Sequence, residues 1–171
     1  MDFWHQLMPK KLTLSMGSVI IKMNKTRELK RIESEMDVKT YLDRLKYALD
    51  SGSVTFKIQK HRKIDKNRDN KYTNSYTIGK LFPNEDVVEV LGKELSLLTI
   101  EDYIETVKDT KRPKKSEMRV FGKKYSGEDV YIKIRVALAS QFDYGGNFIF
   151  VMSFHYAEWD FKESDFPYIK V

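Results

Sequence analysis

The segment Asp129–Leu138 reads DVYIKIRVAL and is the clearest β-strand pattern in the chain. Side chains alternate between the two faces of a strand, so every second residue shares a face. The apolar face consists of Val130, Ile132, Ile134, Val136 and Leu138. The opposite face carries Tyr131, Lys133 and Arg135. The pattern predicts a sheet that buries one face and displays a phenol and two cations on the other.

The segment 148–156 reads FIFVMSFHY and is predicted to be a neighbouring strand. It is apolar on both faces, which is typical of a strand in the interior of a sheet. Ser153 and His155 are assigned to the displayed face, and in an antiparallel pair His155 comes near Tyr131 and Lys133. The core face is assigned to the even-numbered residues Phe148, Phe150, Met152 and Phe154.

A further strand is predicted over residues 118–124, followed by a turn at YSGE, residues 125–128. If Met118 and Val120 point inward, Arg119 and Lys123 share the displayed face with Tyr131. The alternation also permits the opposite phase, in which Phe121 belongs to the core.

Two helices and one shorter helical segment are predicted from apolar residues at helical spacing. The first covers residues 38–50 with Asp37 as its N-cap, and the second begins after Asn84. The third covers residues 100–107 and follows Thr99. With the strands, these elements predict an α+β fold in which an antiparallel sheet packs against helices.

The segments between these elements are polar. Residues 54–58 alternate and predict one more strand, whereas residues 60–74 are dense in Lys, Arg, Asp and Asn. Because residues 60–74 contain few apolar side chains to bury, they are predicted to be a mobile loop. Residues 109–116 form a basic loop around Pro113, and residues 141–147 form a glycine-containing loop.

Residues 1–35 differ from the rest of the chain. They contain seven Lys or Arg and four Asp or Glu, and they show no sustained periodicity. We interpret them as a basic extension that is disordered or poorly packed and dispensable for the fold. An arm that touches nucleic acid is the alternative. The folded domain is expected to span residues 36–171.

Composition narrows the possible functions. The 171 residues suit one domain, and the formal net charge of +6 is compatible with an anionic partner. The absence of cysteine excludes disulfides and thiolate zinc sites, and it fits a reducing cytoplasm. With only three scattered histidines, no metal or other cofactor is expected. No apolar run reaches the roughly 20 residues of a membrane span, so no membrane partner is expected.

The displayed face suits a phosphodiester, because cations pair with phosphate and aromatic rings stack on unpaired bases. Metal-independent RNA cleavage needs a base, an acid and cations around the phosphate, and His155 is the natural acid or base. Two other interpretations remain open. The face is a solvated surface with incidental charges, or Asp129 and Lys133 belong to a metal-dependent nuclease.

Four short motifs occur in an order that resembles the MqsR family of type II toxin–antitoxin toxins. They are LTIEDY at 98–103, VFG at 120–122, VYIKI at 130–134 and VMSFH at 151–155, and FPY at 166–168 follows them as a closing motif. The likeness spans residues 38–170. Two positions depart from the family pattern: His155 stands where the best-known members have lysine, and Glu105 stands where a lysine is expected.

The resemblance implies a RelE-like, microbial-ribonuclease-like fold. It also implies an mRNA interferase, a metal-independent endoribonuclease in which the RNA 2′-hydroxyl attacks the phosphate, with Tyr131 and His155 as catalytic residues. The predicted RNA-binding residues are the cations that the strand alternation assigns to the displayed face: Lys133, Arg135, Arg119 and Lys123. The implied partners are mRNA and a cognate antitoxin encoded by an adjacent gene. The alternative is a non-catalytic module of the same fold that binds nucleic acid or protein.

Overall fold

The computed structural model describes residues 28–138 and 146–170, which form a sheet covered by helices. None of the described helices is long and apolar enough to cross a membrane. The elements in chain order are β1 (Glu28–Arg31), α1 (Glu35–Asp50), β2 (Val54–Ile58), α2 (Asn74–Leu81), α3 (Val87–Ser96), β3 (Tyr103–Asp109), β4 (Met118–Tyr125), β5 (Glu128–Ala137) and β6 (Asn147–Tyr156).

The described strands form one six-stranded sheet in the order β1-β3-β4-β5-β6-β2. All neighbours are antiparallel except β2 and β6, which are parallel. The predicted α+β class is confirmed, and so is the interior position of β6. The predicted bounds of β2, β4, β5 and β6 agree with the structure to within one residue at each end. The predicted turn between β4 and β5 is also confirmed, with positive φ at Ser126 and Gly127.

The three helices pack on one face of the sheet, which we call the helix face. The main core lies between the helices and the sheet and includes Leu45, Leu91 and Ile132, all 0% exposed. The apolar residues predicted for this face of β5 do lie in or against the core: Val130, Ile132, Ile134, Val136 and Leu138. The opposite side of the sheet, which we call the second face, carries Tyr131, Lys133 and Arg135, as the alternation predicted.

The predicted core face of β6 is wrong for the first half of the strand. Ile149 and Val151 are buried on the helix face, so Phe148, Phe150 and Met152 point to the second face. The two phases of β6 are separated by a β-bulge, described next.

The bulge lies at Met152. The pairing with β5 joins Lys133 to Ser153 and then Ile134 to Val151, which leaves one additional residue on β6. An additional residue reverses the side-chain alternation after it. The second half of the strand therefore has the predicted phase, with Phe154 in the core and Ser153 and His155 on the second face.

Polar caps place the helix starts differently from the prediction. Helix α1 begins at Glu35 because the Ser34 hydroxyl accepts a hydrogen bond from the Asp37 amide at 3.2 Å, so Asp37 is not the N-cap. Helix α3 is capped by Asp86. Asn84, the predicted cap, instead lies in the preceding turn with a φ of 66°.

The prediction of helix over residues 100–107 is wrong beyond Asp102. A single 3-10 turn, Ile100–Asp102, precedes β3, which pairs with β1 on one side and β4 on the other. Thr106 and Val107 are β-branched residues that pack well in a sheet, and pairing with two strands outweighs the local helical spacing.

The segment 60–74 is not a structureless loop. It forms two 3-10 turns, Lys63–Asn67 and Asn70–Tyr72, and then enters α2, which was not predicted. Asn74 connects this region to β6 through its side-chain amide. The Asn74 Nδ2 donates to the Met152 carbonyl at 2.9 Å, and the Asn74 Oδ1 accepts from the Phe154 backbone amide at 2.9 Å. In this segment polar side chains make the contacts to the sheet, because it contains few apolar side chains.

The expected domain start at residue 36 requires a correction for residues 28–35. Strand β1 pairs with β3, and Glu33 is buried in ion pairs, so these residues belong to the fold. The interpretation of residues 1–27 as a disordered extension lies outside the described residues. The same holds for residues 139–145, which include most of the predicted loop 141–147.

Candidate functional site

Tyr131 and His155 are direct cross-strand partners on the second face. Their rings are stacked with centroids 5.5 Å apart, and the Trp159 ring lies edge-on to Tyr131 at 5.8 Å. The predicted proximity of Tyr131 and His155 is therefore confirmed.

His155 is not displayed as predicted, because it is only 4% exposed. Its Nδ1 lies 2.8 Å from the Tyr156 carbonyl, so Nδ1 carries the proton and Nε2 carries the lone pair. Burial lowers the pKa of His155; the hydrogen bond to Tyr156 opposes this, and the positive charges of Arg68 and Arg62 lower the pKa further. A neutral imidazole whose Nε2 carries the lone pair suits a general base.

Tyr131 is half-buried, and its hydroxyl stays protonated at neutral pH. Burial raises the pKa of Tyr131 above its ordinary value, and the negative charges of Glu105 and Glu28 raise it further. Tyr131 is thus suited to donating a hydrogen bond to a phosphate oxygen and not to accepting a proton.

Arg62 is the residue of this site that the sequence did not reveal. Its Nη1 donates to the Ser153 hydroxyl at 3.0 Å, and it forms no ion pair with a carboxylate in residues 28–138 or 146–170. Burial lowers the pKa of Arg62, and the positive charge of Arg68 adds to this effect. A half-buried guanidinium without a described carboxylate partner, close to Tyr131 and His155, is an arrangement suited to phosphate.

Lys133 lies on the second face, but it is buried and ion-paired. It is 4% exposed, and its Nζ forms an ion pair with Glu28 of β1. Strand β1 was not predicted, so its carboxylate could not be anticipated. Lys133 therefore cannot contact RNA unless Glu28 moves.

Arg135 lies on the second face and is half-buried. Its Nε donates to the Ser116 carbonyl at 3.0 Å, and its guanidinium is 6.0 Å from the Phe150 ring centroid. It lines a cavity of about 470 Å³ together with Lys57 and Lys115. Of the four predicted RNA-binding residues, Arg135 has the surroundings that best fit the prediction.

Arg119 and Lys123 lie on the helix face, which corrects their assignment to the displayed face. Their cross-strand partners, Ile134 and Val130, are core residues. Phe121 is buried in the same core, so the opposite phase of β4 is the one adopted. The apolar pattern could not decide the phase because Met118 and Val120 are also buried, in a smaller cluster on the second face.

Arg119 and Lys123, the two cations predicted on the wrong face, both have structural partners. Arg119 forms two hydrogen bonds to the Glu33 carboxylate at 2.8 and 2.9 Å, and its guanidinium lies 4.3 Å from the Tyr41 ring centroid. The Lys123 Nζ donates to the Leu97 carbonyl at 3.3 Å. These contacts join the sheet to the helices and leave neither side chain near Tyr131.

The acidic residues near the site have structural partners too. Asp129 accepts a hydrogen bond from the Phe161 amide at 2.9 Å and pairs with Lys124 at 3.0 Å. Among the described residues, no group of three or more His, Asp or Glu side chains is placed to hold a metal ion.

The sequence matches no protein-family model, and it shows no significant similarity to a curated protein or to a solved structure. The likeness to the MqsR family rests on these short motifs alone. A function must therefore be argued from the second face itself.

Proposed function

We propose that this chain binds single-stranded RNA on the second face of its sheet and cleaves it as a metal-independent endoribonuclease, an mRNA interferase toxin of RelE-like, microbial-ribonuclease-like type. The observation that carries the proposal is the hydrogen bond of Arg62 to Ser153, which lies two residues before His155 on the same face of β6, next to the stacked Tyr131 and His155. This cluster combines a neutral imidazole, a phenol and a cation without a described carboxylate partner. Cleavage of mRNA would place the activity in the cytoplasm.

Each side chain has a separate role in the proposed reaction. His155 Nε2 accepts the proton of the RNA 2′-hydroxyl, whose oxygen attacks the adjacent phosphorus. The Arg62 guanidinium stabilises the charge on the phosphate oxygens, and the Tyr131 hydroxyl positions them by a hydrogen bond. The bond from phosphorus to the 5′-oxygen breaks, and that oxygen takes a proton from water. The hydroxide that remains removes the proton from His155, which returns the imidazole to its neutral form. The products are a 2′,3′-cyclic phosphate and a 5′-hydroxyl end.

Access to His155 requires a movement of its neighbours. The imidazole is stacked under Tyr131, whereas Trp159, which packs edge-on against Tyr131, is 53% exposed. Rotation of Trp159 and Tyr131 on RNA binding would open a path to Nε2. Bases that stack on Trp159 would supply part of the energy of this rotation.

The test is cleavage of single-stranded RNA by the purified protein in excess EDTA, followed by identification of the product ends. We expect 5′-hydroxyl products. His155→Ala and Arg62→Lys should each lower the rate by roughly 10²–10⁴-fold, in the range for acid–base and electrostatic groups. His61→Ala is the matched control, because His61 is exposed and precedes Arg62 in the chain. Activity that requires magnesium or manganese would refute the mechanism.

A second candidate function, a non-catalytic RNA- or protein-binding module of the same fold, is favoured by the burial of His155. In that case the stacked pair stabilises the second face and performs no chemistry. RNA would then be bound but remain intact under all conditions, and His155→Ala would change stability without changing RNA turnover.

A toxin of this type requires an inhibitor, which we propose is an acidic antitoxin encoded by the adjacent gene. Opposite charge accelerates association and fixes the orientation of the two partners. Expression of this chain with and without that gene tests the proposal. Growth arrest that the adjacent gene relieves would support it, and equal growth in both cultures would contradict it.

A further inference from the structure

A cavity of about 470 Å³ opens on the second face, away from Tyr131 and His155. We call it the basic cleft and define it by Lys57 of β2, Lys114 and Lys115 of the β3–β4 loop, Arg135 of β5, and Phe148 and Phe150 of β6. Its volume is within the range of sites that hold small organic ligands, about 300–1,000 Å³.

The lysines of the basic cleft give it a positive charge. Lys57, Lys114 and Lys115 are exposed, and the described residues that line the cleft include no carboxylate. Glu28 and Asp109 line an adjoining cavity that shares Lys115 and Arg135 with the cleft. Within residues 28–138 and 146–170, none of these three lysines forms an ion pair. Other lysines of this face differ, because Lys30 and Lys133 are paired with Glu105 and Glu28. The cleft therefore concentrates positive charge at one end of the face.

The floor of the cleft is aromatic. Phe148 and Phe150 are half-buried, and Lys57 and Arg135 lie 5.9 and 6.0 Å from their respective ring centroids. A phenyl ring offers a stacking surface to any base, and the adjacent cations can reach the phosphate of the same nucleotide. Aromatic rings surrounded by cations are typical of surfaces that bind single-stranded nucleic acid.

We propose that the basic cleft binds one unstacked nucleotide of single-stranded RNA, with its base on Phe150 and its phosphate on Lys57 and Lys115. This inference rests on the proposed function, since it names a binding subsite for the same substrate. Arg135 and Tyr131 are four residues apart on one face of β5, a distance of about 13 Å at the usual rise of a strand. The RNA would therefore run along β5 from the cleft to the proposed cleavage position.

Binding can be measured separately from cleavage with an RNA oligonucleotide whose 2′-hydroxyls are methylated, because it cannot undergo 2′-hydroxyl attack. We would titrate the full chain against this probe by fluorescence anisotropy at several salt concentrations. In Lys57→Gln/Lys115→Gln, the slope of log affinity against log salt should decrease by roughly 0.7 for each phosphate that the variant no longer neutralises. The matched control is Lys46→Gln/Lys93→Gln, which removes two exposed lysines from the helices and should keep the wild-type slope.

Stacking is tested by Phe150→Leu, which keeps the position apolar. We expect about tenfold weaker binding of the single strand, a typical loss for one stacked base. A duplex of the same sequence should bind the wild type more weakly than the single strand, because its bases are already stacked.

The inference is overturned if the cleft variants bind like the wild type, if the control loses as much affinity as they do, or if the duplex binds as tightly as the single strand. These outcomes are independent of cleavage. If unmodified RNA stays intact while the cleft variants lose affinity, only the proposed enzymatic activity fails.

Discussion

At the scale of single residues, Glu33 connects segments that are distant in the chain. Its carboxylate is 4% exposed, accepts two hydrogen bonds from Arg119, and also accepts from Thr106 at 2.8 Å and from Arg31 at 2.8 Å. Burial alone would raise the pKa of Glu33, but the hydrogen bonds and charge of Arg119 outweigh it and lower the pKa. Glu33 thus stays ionised and holds β3 and β4 to the segment before α1.

Glu33→Gln should destabilise the protein by about 3 kcal/mol, because it leaves the Arg119 guanidinium half-buried without its charged partner. The measurement is urea unfolding followed by circular dichroism. Glu35→Gln is the matched control: Glu35 lies two residues on, is exposed, and pairs among the described residues only with Lys39 of the same helix. Little measurable change is expected there, and equal losses in the two variants would contradict this account of Glu33.

His155 should make stability depend on pH. In the unfolded chain its imidazole titrates near 6.5, whereas burial lowers its pKa in the folded chain. As the pH falls below about 6.5, the unfolded state takes up a proton that the folded state does not, so the free energy of unfolding falls. The loss continues until the pH reaches the lowered pKa of the folded state.

Chemical unfolding at a series of pH values from 7.5 to 5 checks this expectation. His155→Gln should flatten the dependence relative to the wild type, whatever its overall stability. His61→Gln, at an exposed position, should keep the wild-type slope. The same slope in the wild type and in His155→Gln would show that His155 is not the responsible group.

The residues that the sequence could not reveal share one property: their partners are distant in the chain. Arg62 contacts Ser153, and Glu33 contacts Arg119, across 91 and 86 residues respectively. The periodicity of a short sequence segment gives no information about such a pair. Tyr131 and His155 could be predicted because alternation placed each on one face of a recognisable strand, and adjacent strands then brought them together.

At the scale of elements, Gly122 of β4 allows the C-terminal segment to lie directly on the second face. A Cβ atom at this position would come within 2.5 Å of the Phe161 ring and 2.9 Å of the Ile104 side chain. Phe161 in turn packs edge-on against Trp159 and Phe166. The absence of a side chain at residue 122 therefore determines how closely this aromatic group approaches the sheet.

Gly122→Ala should cost about 1–3 kcal/mol, the usual cost of overpacking, because the Phe161 ring has to move. Gly79→Ala is the matched control. A Cβ atom there meets nothing within 4 Å, and alanine favours the helix α2, so stability should be unchanged or slightly higher. Thermal unfolding of the two variants checks the prediction, and an equally stable Gly122→Ala would contradict it.

The element predictions succeeded where one face of a strand is uniformly apolar and failed where two patterns compete. Strand β5 has a single clear phase. In β6 the bulge at Met152 changes the phase within the strand, and alternation contains no signal for an inserted residue. Residues 103–107 have apolar residues at helical spacing, yet pairing with β4 makes them a strand. Long-range pairing therefore decided both outcomes.

At the scale of the whole molecule, β1 extends the folded domain to at least residue 28. A chain that begins at residue 36 lacks β1 and Glu33, and it should lose both the pairing with β3 and the partner of Arg119. We expect its melting temperature to be at least 10 °C below that of a chain beginning at residue 28, since losses of several kcal/mol shift the melting temperature by this order. Equal melting temperatures would show that β1 adds no stability.

The fold class was predictable because the last third of the chain contains long, strongly patterned strands. The position of the first strand was not, since β1 has four residues, mostly exposed and polar, and pairs with a strand about 80 residues later. The same distinction between long patterned strands and short polar segments applies to the candidate site. The pair from β5 and β6 was predicted, whereas the cation from the polar segment after β2 and the carboxylate of β1 were not.

The edge position of β1 also determines the order in which the protein can assemble during translation. This strand leaves the ribosome before the strand it pairs with has been made, and the Glu33 carbonyl accepts a hydrogen bond from Tyr168, which is synthesised 135 residues later. The β4–β5 hairpin, by contrast, closes through a two-residue turn and pairs early. Substitutions in β1 should therefore mainly accelerate unfolding, and substitutions in the hairpin should mainly slow folding. Until β3 has been synthesised, β1 of the nascent chain has no strand to pair with.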